Sequence, residues 1–347
     1  MMNVGYMRNN LKPTELAKLI AMYGHSYGIN VIYLRPKDVN LKTNMVNGKT
    51  LVNGQWIPIK TKLPKFIDIS QFCFKKKNRD IIKHLRAHTT MSDDGLNRRN
   101  KLKFIQEMNK DETVNHLIIP TRKVFKEEDI IKFLDQYNSI ILKPISGQFG
   151  IGIFFIRRNK DNEYTIKFDN VKNIVTKQDL KLFIENDILG NQYIVQKYIE
   201  SKTREGYPFD CRINMEKDIN GEWSVARKFI RIGIGQKIVS NISQGGAVSN
   251  VSTFLKSNYS PKKVTAILTR LKEIENTVPQ KVEYLRKQSL MTLGIDVGID
   301  SDGSVYLFEV NSAPGTTQLR AQVAYLRAQY YYYMVNKIRY LGKEEKK

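Results

Sequence analysis

The chain has few of the residues that staple small secreted proteins or build metal centres. Its 347 residues include two cysteines, Cys73 and Cys211, and four histidines. Two thiols cannot form a disulfide framework, and they suit a reducing compartment. His84 and His88 stand four apart on an expected helix, but the adjacent glutamate and third ligand of a zinc site are missing. Long apolar runs are missing too, so no spanning helix is expected. The apolar start Met1–Met7 stops at Arg8-Asn9-Asn10, so no signal peptide is expected either, and the expected location is the cytoplasm.

Acidic residues are in deficit, with 34 Asp and Glu against 57 Lys and Arg, a net charge of +23. The excess is spread along the chain, with one denser patch from Lys75 to Lys103. No zinc-finger spacing, aromatic-basic RNA motif or basic heptad helix accompanies it, so sequence-specific nucleic-acid binding is not expected. The charge suits either a solvated basic surface or an acidic peptide, polymer or phosphorylated ligand. A hydrophobic share of 41% excludes a disordered chain, and the length suits two or three packed units.

Hydrophobic periodicity alternates between strand and helix along most of the chain, which predicts an α/β or α+β fold with mixed sheets. Asn3–Met7 and Asn30–Leu34 read as strands around a helix over Pro13–Tyr27, with Pro13 just inside its start. Residues 46–60 read as a hairpin with turns at Val46–Lys49 and again after Val52. Leu117-Ile118-Ile119 reads as a strand, and Pro261–Met291 as a helical tract broken at Pro279. Gln318–Tyr340 reads as a terminal helix in which Tyr330–Tyr333 serve packing. No repeat of 20–50 residues is present.

Three segments carry chemistry. In the first, Ile141-Leu142-Lys143-Pro144 ends a strand at a lysine, and Gly147, Gly150 and Gly152 make a loop before the next strand. Glycines let backbone N–H groups approach phosphate oxygens, and lysine adds a point charge. The spacing fits neither the dinucleotide fingerprint nor the Walker loop, and a plain glycine-rich hairpin fits it as well. In the second, Leu293–Asp300 and Val305–Gly315 flank a Ser301-Asp302-Gly303 turn. Antiparallel pairing there brings Asp296, Glu309 and Asn311 to one spot, a donor set suited to a hard cation such as Mg²⁺. In the third, Arg212 and Arg231 offer fixed positive charge for a transferring phosphate, or a surface ion pair, and Gly245-Gly246 offer close backbone approach.

Taken in this order, the segments resemble the ATP-grasp carboxylate–amine ligases, and nearest the endospore-coat-associated (YheC/YheD-like) ATP-grasp family. The motifs that carry the resemblance are the lysine-proline loop, Asp210-Cys211-Arg212, Ser240-Asn241-Ile242-Ser243-Gln244-Gly245-Gly246, Gly294-Ile295-Asp296 and Glu309-Val310-Asn311, within roughly 98–330. The resemblance implies a pre-ATP-grasp α/β domain over 1–95, a lid-bearing subdomain over 96–200 and a C-terminal subdomain over 201–342. A disordered tail over 343–347 completes the expected organisation. It also implies that Lys101 (or Lys103) and Lys143 grip phosphates under a lid of Gly147, Gln148, Gly150 and Gly152. Gln196-Lys197-Tyr198-Ile199 would be the adenine hinge, although many relatives have glutamate where Gln196 stands. Asp296, Glu309 and Asn311 would hold one or two Mg²⁺ ions, with Mn²⁺ a substitute. Arg231 and Arg212 would steady an acyl-phosphate, with Asn241, Gly245 and Gly246 on the acceptor side. The implied partners are ATP, a peptide or acidic-polymer carboxylate and an amine, with no membrane and with homo-oligomerisation left open. Two alternatives share the fold: a non-catalytic spore-coat assembly protein and a small-molecule kinase.

Overall fold

In the computed structural model, residues 1–96, 101–145, 152–168, 171–233 and 246–344 are described, without the side chains of Lys101 and of 342–344. Continuous apolar runs make the first sheet. Its strands are β1 (Met2–Met7), β2 (Ile29–Leu34), β3 (Val39–Asn40), β4 (Met45–Val52), β5 (Gln55–Lys62), β6 (Phe66–Ile69) and β7 (Thr90–Met91). The order is β3-β4-β2-β1-β6-β7, with β5 on β4. β1 runs parallel to β2 and β6 and is largely buried, as an apolar strand inside a parallel sheet must be. Helix α1 (Glu15–Ser26) crosses from β1 to β2, and α2 (Arg79–His88) precedes β7. The α1 cap is Thr14, whose hydroxyl accepts the Ala17 N–H, so Pro13 lies just outside the helix and not inside its start.

The hairpin also differs from the expectation. β4 runs unbroken through Val46–Lys49, and the one turn is at Asn53-Gly54, with φ of 47° and 76°. Gly48 belongs to the strand because β4 lies so close to β2. A Cβ there would sit 2.6 Å from Ile32 Cγ2 and 2.9 Å from the Tyr33 carbonyl oxygen.

Helix α3 (Lys101–Asn109) leads to an antiparallel sheet containing β8 (Thr121–Lys123), β9 (Ser139–Pro144), β10 (Phe154–Arg158), β11 (Tyr164–Phe168), β12 (Val171–Val175) and β13 (Tyr193–Lys197). Helices α4 (Glu127–Tyr137) and α5 (Lys177–Phe183) cover it, and the strand order is β12-β11-β10-β9-β13-β8. The expected strand at Leu117–Ile119 is absent. Backbone bonds from Asn115 to Asp111 and from Leu117 to Val114 coil that stretch into turns, and Ile118 makes a single bridge to Leu307.

The third sheet is also antiparallel: β14 (Phe209–Lys217), β15 (Trp223–Ile232), β16 (Ala247–Ser249), β17 (Thr292–Ile299) and β18 (Val305–Asn311), in the order β16-β15-β14-β17-β18. Helices α6 (Val251–Asn258) and α7 (Pro261–Arg286) pack on one face. Pro279 lies inside α7 without ending it; the ring is buried beside Val278 and Val282, which offsets the lost backbone bond. Helix α8 (Arg320–Glu344) closes the chain, and it extends into the segment expected to be disordered.

Strand β14 organises the molecule through alternation. Cys211, Ile213 and Met215 enter the core under α6 and α7. Asp210, Arg212, Asn214 and Glu216, at the alternate positions, are also buried, but on the opposite face. Buried charge is tolerated only when paired. Glu216 accepts two bonds from Arg327 of α8, at 3.0 and 3.1 Å, and one from the Thr292 hydroxyl at 2.7 Å. Arg327 continues to Asp68 of β6 at 3.6 Å. The Tyr331 hydroxyl donates to the same carboxylate at 2.6 Å, and Arg8 does so at 3.0 Å. Tyr330 and Tyr331 pack into the core of the first sheet, as expected of that run.

Burial alone would raise the Asp68 pKa, but Arg8, Arg327 and the Tyr331 hydroxyl outweigh it and hold the value below the ordinary 3.8. A lowered carboxylate pKa stabilises the fold at pH above the unfolded value. That stability disappears as pH falls from about 3.8 through the lower folded value. Arg327→Met would leave Glu216 and Asp68 buried without their shared cation, with an expected loss of about 3–5 kcal/mol in urea unfolding. Removing the exposed Arg270 from its pair with Glu273 should change stability by less than ~1 kcal/mol. The stability difference between Asp68→Asn and wild type should shrink as pH falls from about 3.8 through the lower folded value, which urea unfolding at a series of acid pH values checks.

Candidate functional site

Strand register builds the site. Asp296 of β17 lies opposite Arg212 of β14 on one side and opposite Glu309 of β18 on the other, and Gly294 lies opposite Asn311. Directly paired residues share a sheet face, so Arg212, Asp296, Glu309 and Asn311 project together, on the side away from α6 and α7. On β15, Arg231 lies opposite Asp210. The expected meeting of Asp296, Glu309 and Asn311 is therefore present, and it follows from the short turn in which Ser304 N–H donates to the Asp300 carboxylate.

The arginines hold the carboxylates in a ladder. Arg212 donates to both oxygens of Asp296, through Nε to Oδ1 and through a terminal nitrogen to Oδ2 at 2.9 Å. Arg231 makes a two-bond fork to Asp210, at 2.7 and 2.8 Å, and reaches Asp296 Oδ1 at 2.9 Å. Burial alone would lower the Arg231 pKa, but Asp296 and Asp210 outweigh it and raise the value. A carboxylate offers about four lone-pair sites. Three on Asp296 are engaged by arginine, so a hard cation there would need further oxygen donors, which Glu309 and Asn311 carry. Two carboxylates and an amide fit such an ion in chemistry, although no cluster of three His, Cys, Asp or Glu exists among the described residues.

The second sheet brings Lys143. On β9 it pairs with Ile194 of β13, and its ammonium donates to Gln196 Oε1 at 2.8 Å. The Gln196 amide donates to the Thr121 hydroxyl at 2.7 Å, and that hydroxyl donates to the Ile119 carbonyl at 2.7 Å. This chain fixes the amide orientation and gives Gln196 a role: it positions Lys143. In the expected hinge, Lys197 N–H donates to the Pro120 carbonyl and Tyr198 N–H to the Ser139 carbonyl. Lys197 could then read a base edge only through its carbonyl. Tyr198 stands edge-on to Phe155, and burial pushes its hydroxyl up to about 12. The Lys197 ammonium lies 5.7 Å from the Tyr306 ring, linking β13 to β18.

Gly152 has φ of 76° and lies against Pro144 at the foot of the glycine loop. Gly147, Gln148, Gly150, Asn241 and Gly245 lie outside the described residues, as does the Lys101 side chain; Gly246 leads directly into β16. Sequence reasoning missed the pairing of Asp210 with Arg231 and the support that Thr121 gives Gln196. The two-residue step from Asp210 to Arg212 was a usable signal, whereas nothing local connects Thr121 to Lys143. Asn214, fully buried two residues beyond Arg212, has neither amide atom hydrogen-bonded among the described residues.

The family comparison bears on this arrangement. The model of the YheC/D-like ATP-grasp family matches residues 95–341. The chain belongs to that family. The match contains β8 through β18, so both antiparallel sheets and the Asp296–Glu309–Asn311 register lie within the family's ATP-grasp unit. The endospore coat-associated protein YheC of Bacillus subtilis is 24% identical over 99% of this chain and 97% of its own length. D-alanyl-alanine synthetase A from Vibrio cholerae superposes with a TM-score of 0.52 at 14% identity, covering 96% of this chain and 98% of the synthetase. A RiPP-associated ATP-grasp ligase from Chryseobacterium gregarium, solved with ADP and a leader and core peptide, superposes at 0.54 and 11% identity, covering 93% and 96%. These likenesses identify the fold as ATP-grasp.

A buried amide without partners should tolerate an apolar replacement of similar shape. Asn214→Leu is expected to leave urea stability unchanged or raise it by about 1 kcal/mol. A loss above about 2 kcal/mol would mean that Asn214 makes bonds in the folded protein.

Proposed function

We propose that the chain is an ATP-dependent carboxylate–amine ligase that works through an acyl-phosphate. The observation that carries this reading is the register of β14, β17 and β18, which gathers Arg212, Asp296, Glu309 and Asn311 on one face. Lys143, oriented by Gln196, and Lys101 would neutralise the phosphates, and the glycine loop from Gly147 to Gly152 would cover them. The carbonyl of Lys197 and the N–H of Ile199 would read the adenine edge. Glu309 and Asn311, with the remaining acceptor capacity of Asp296, would hold Mg²⁺, which supplies Lewis-acid stabilisation of phosphoryl charge.

The chemistry needs no protein nucleophile. A substrate carboxylate oxygen attacks the γ-phosphorus, the bond from phosphorus to the ADP oxygen breaks, and ADP leaves. An amine then attacks the acyl carbon, a C–N bond forms, inorganic phosphate departs and the amine loses a proton. Arg231 and Arg212, held in place by Asp210 and Asp296, would be fixed hydrogen-bond donors beside this charge. Asn241, Gly245 and Gly246 would form the acceptor side. The net charge of +23 supports an acidic peptide or polymer as the carboxylate substrate. A second reading, a coat-associated protein that keeps the fold without turnover, draws support from the name of the Bacillus subtilis relative.

Calorimetry separates the two. The ligase reading expects Mg²⁺-dependent ATP binding that falls at least tenfold in Glu309→Ala and in Lys143→Ala, and by a smaller factor in Gln196→Met. Folded wild-type protein that binds no ATP would sink it. With acidic peptides supplied, trapping by hydroxylamine should yield a hydroxamate, whereas a stable phosphorylated alcohol would indicate a kinase.

A further inference from the structure

Outside the family-matched region, the first sheet carries a pocket of about 380 Å³ at the carboxyl end of β2, large enough for a small ligand or a few side chains. One sheet face supplies much of its wall. Tyr33 of β2 lies opposite Lys49 of β4, Lys49 opposite Pro58 of β5, and Asn47 opposite Lys60. Tyr33, Lys49, Pro58 and Lys60 therefore share a face. The Tyr33 hydroxyl donates to the carbonyls of Asn10 and Lys12, at 2.8 and 3.2 Å, and so holds Leu11 as a second wall. Arg35 closes a third side, its guanidinium already forked onto Asp38 at 2.9 and 3.0 Å.

That fork decides the ligand chemistry. With Arg35 matched by Asp38, the pocket has no unoccupied fork for a single phosphate, and its surplus charge is the two lysine ammoniums. Neither ammonium has a hydrogen bond or ion pair among the described residues. Lys49 and Lys60 are diagonal neighbours on one face, at a spacing of about 7–8 Å. Alternate residues of an extended peptide repeat at nearly the same spacing, about 6.6–6.8 Å. Leu11 and Pro58, both exposed, offer apolar surface to the methylene stems of glutamate.

We infer that this pocket docks an extended acidic peptide segment, with carboxylates at alternate positions meeting Lys49 and Lys60. The inference goes beyond the ligase reading, because it assigns peptide recognition to the first sheet and requires no nucleotide. Failure of either is thus separately visible. Fluorescence anisotropy of a labelled peptide of alternating Glu and Ser, with four glutamates and no ATP, tests it on the full chain. The expected result is salt-sensitive binding weakened at least tenfold by Lys49→Glu with Lys60→Glu. The same exchange at the exposed Lys76 and Lys77 should weaken it less than threefold. If the charge-reversed pair does not fold, Lys49→Gln with Lys60→Gln carries the test, with an expected loss of at least fivefold. No binding by wild type, or equal losses from the two pairs of sites, would overturn the assignment. Tighter binding of an oligouridylate of equal charge would overturn it in favour of nucleic acid.

Discussion

The alternation of β14 is the constraint on which the rest depends. A central strand has two buried faces, and here one is apolar while the other carries Asp210, Arg212, Asn214 and Glu216. Unpaired, such charges would cost several kcal/mol each. Their partners come from almost every part of the chain. Arg231 and Asp296 arrive on the neighbouring strands, and Arg327 arrives on the last helix and carries the network on to Asp68 and Arg8 of the first sheet. The upper half of this strand face gathers the arginine–carboxylate ladder proposed as the phosphoryl site, while the lower half fastens the terminal helix and the first sheet to the same strand. Fixing the strand for one purpose fixes it for the other.

Electrostatics divides accordingly. Inside, arginines and carboxylates are matched closely enough that Asp68 stays ionised despite full burial. Outside, the surplus of lysine is unmatched, and in the pocket beside β2 it is arranged on a lattice set by strand register. The matched interior gives rigidity, which preorganises charge for a reaction. The unmatched surface gives long-range, salt-sensitive attraction for anionic molecules.

Legibility in the sequence followed contact distance. The β17–β18 pair was readable because one short turn joins it, and two-residue steps place Glu309 and Asn311 together. The hairpin of β4 and β5 was readable as a hairpin, but Asn47-Gly48 mimicked a turn, because the true reason for Gly48 is the approach of β2. Pro279 read as a break because its burial inside α7 leaves no local trace. The bonds between Arg212 and Asp296, and between Arg327 and Glu216, span 84 and 111 residues. A pattern of apolar residues says nothing about which distant charges will meet. The ATP-grasp resemblance supplied the candidate site, while the structure supplied the contacts of Asp210, Thr121 and Gln196.

Hydrogen exchange of the full chain, with and without a non-hydrolysable ATP analogue and Mg²⁺, tests the central claim most directly. If the face of β14, β17 and β18 and the β13 hinge together form the nucleotide site, amides in 193–199 and 292–311 should gain protection together. Those in β4 and β5 should be unchanged. Protection confined to the first sheet, or none at saturating analogue, would contradict the account.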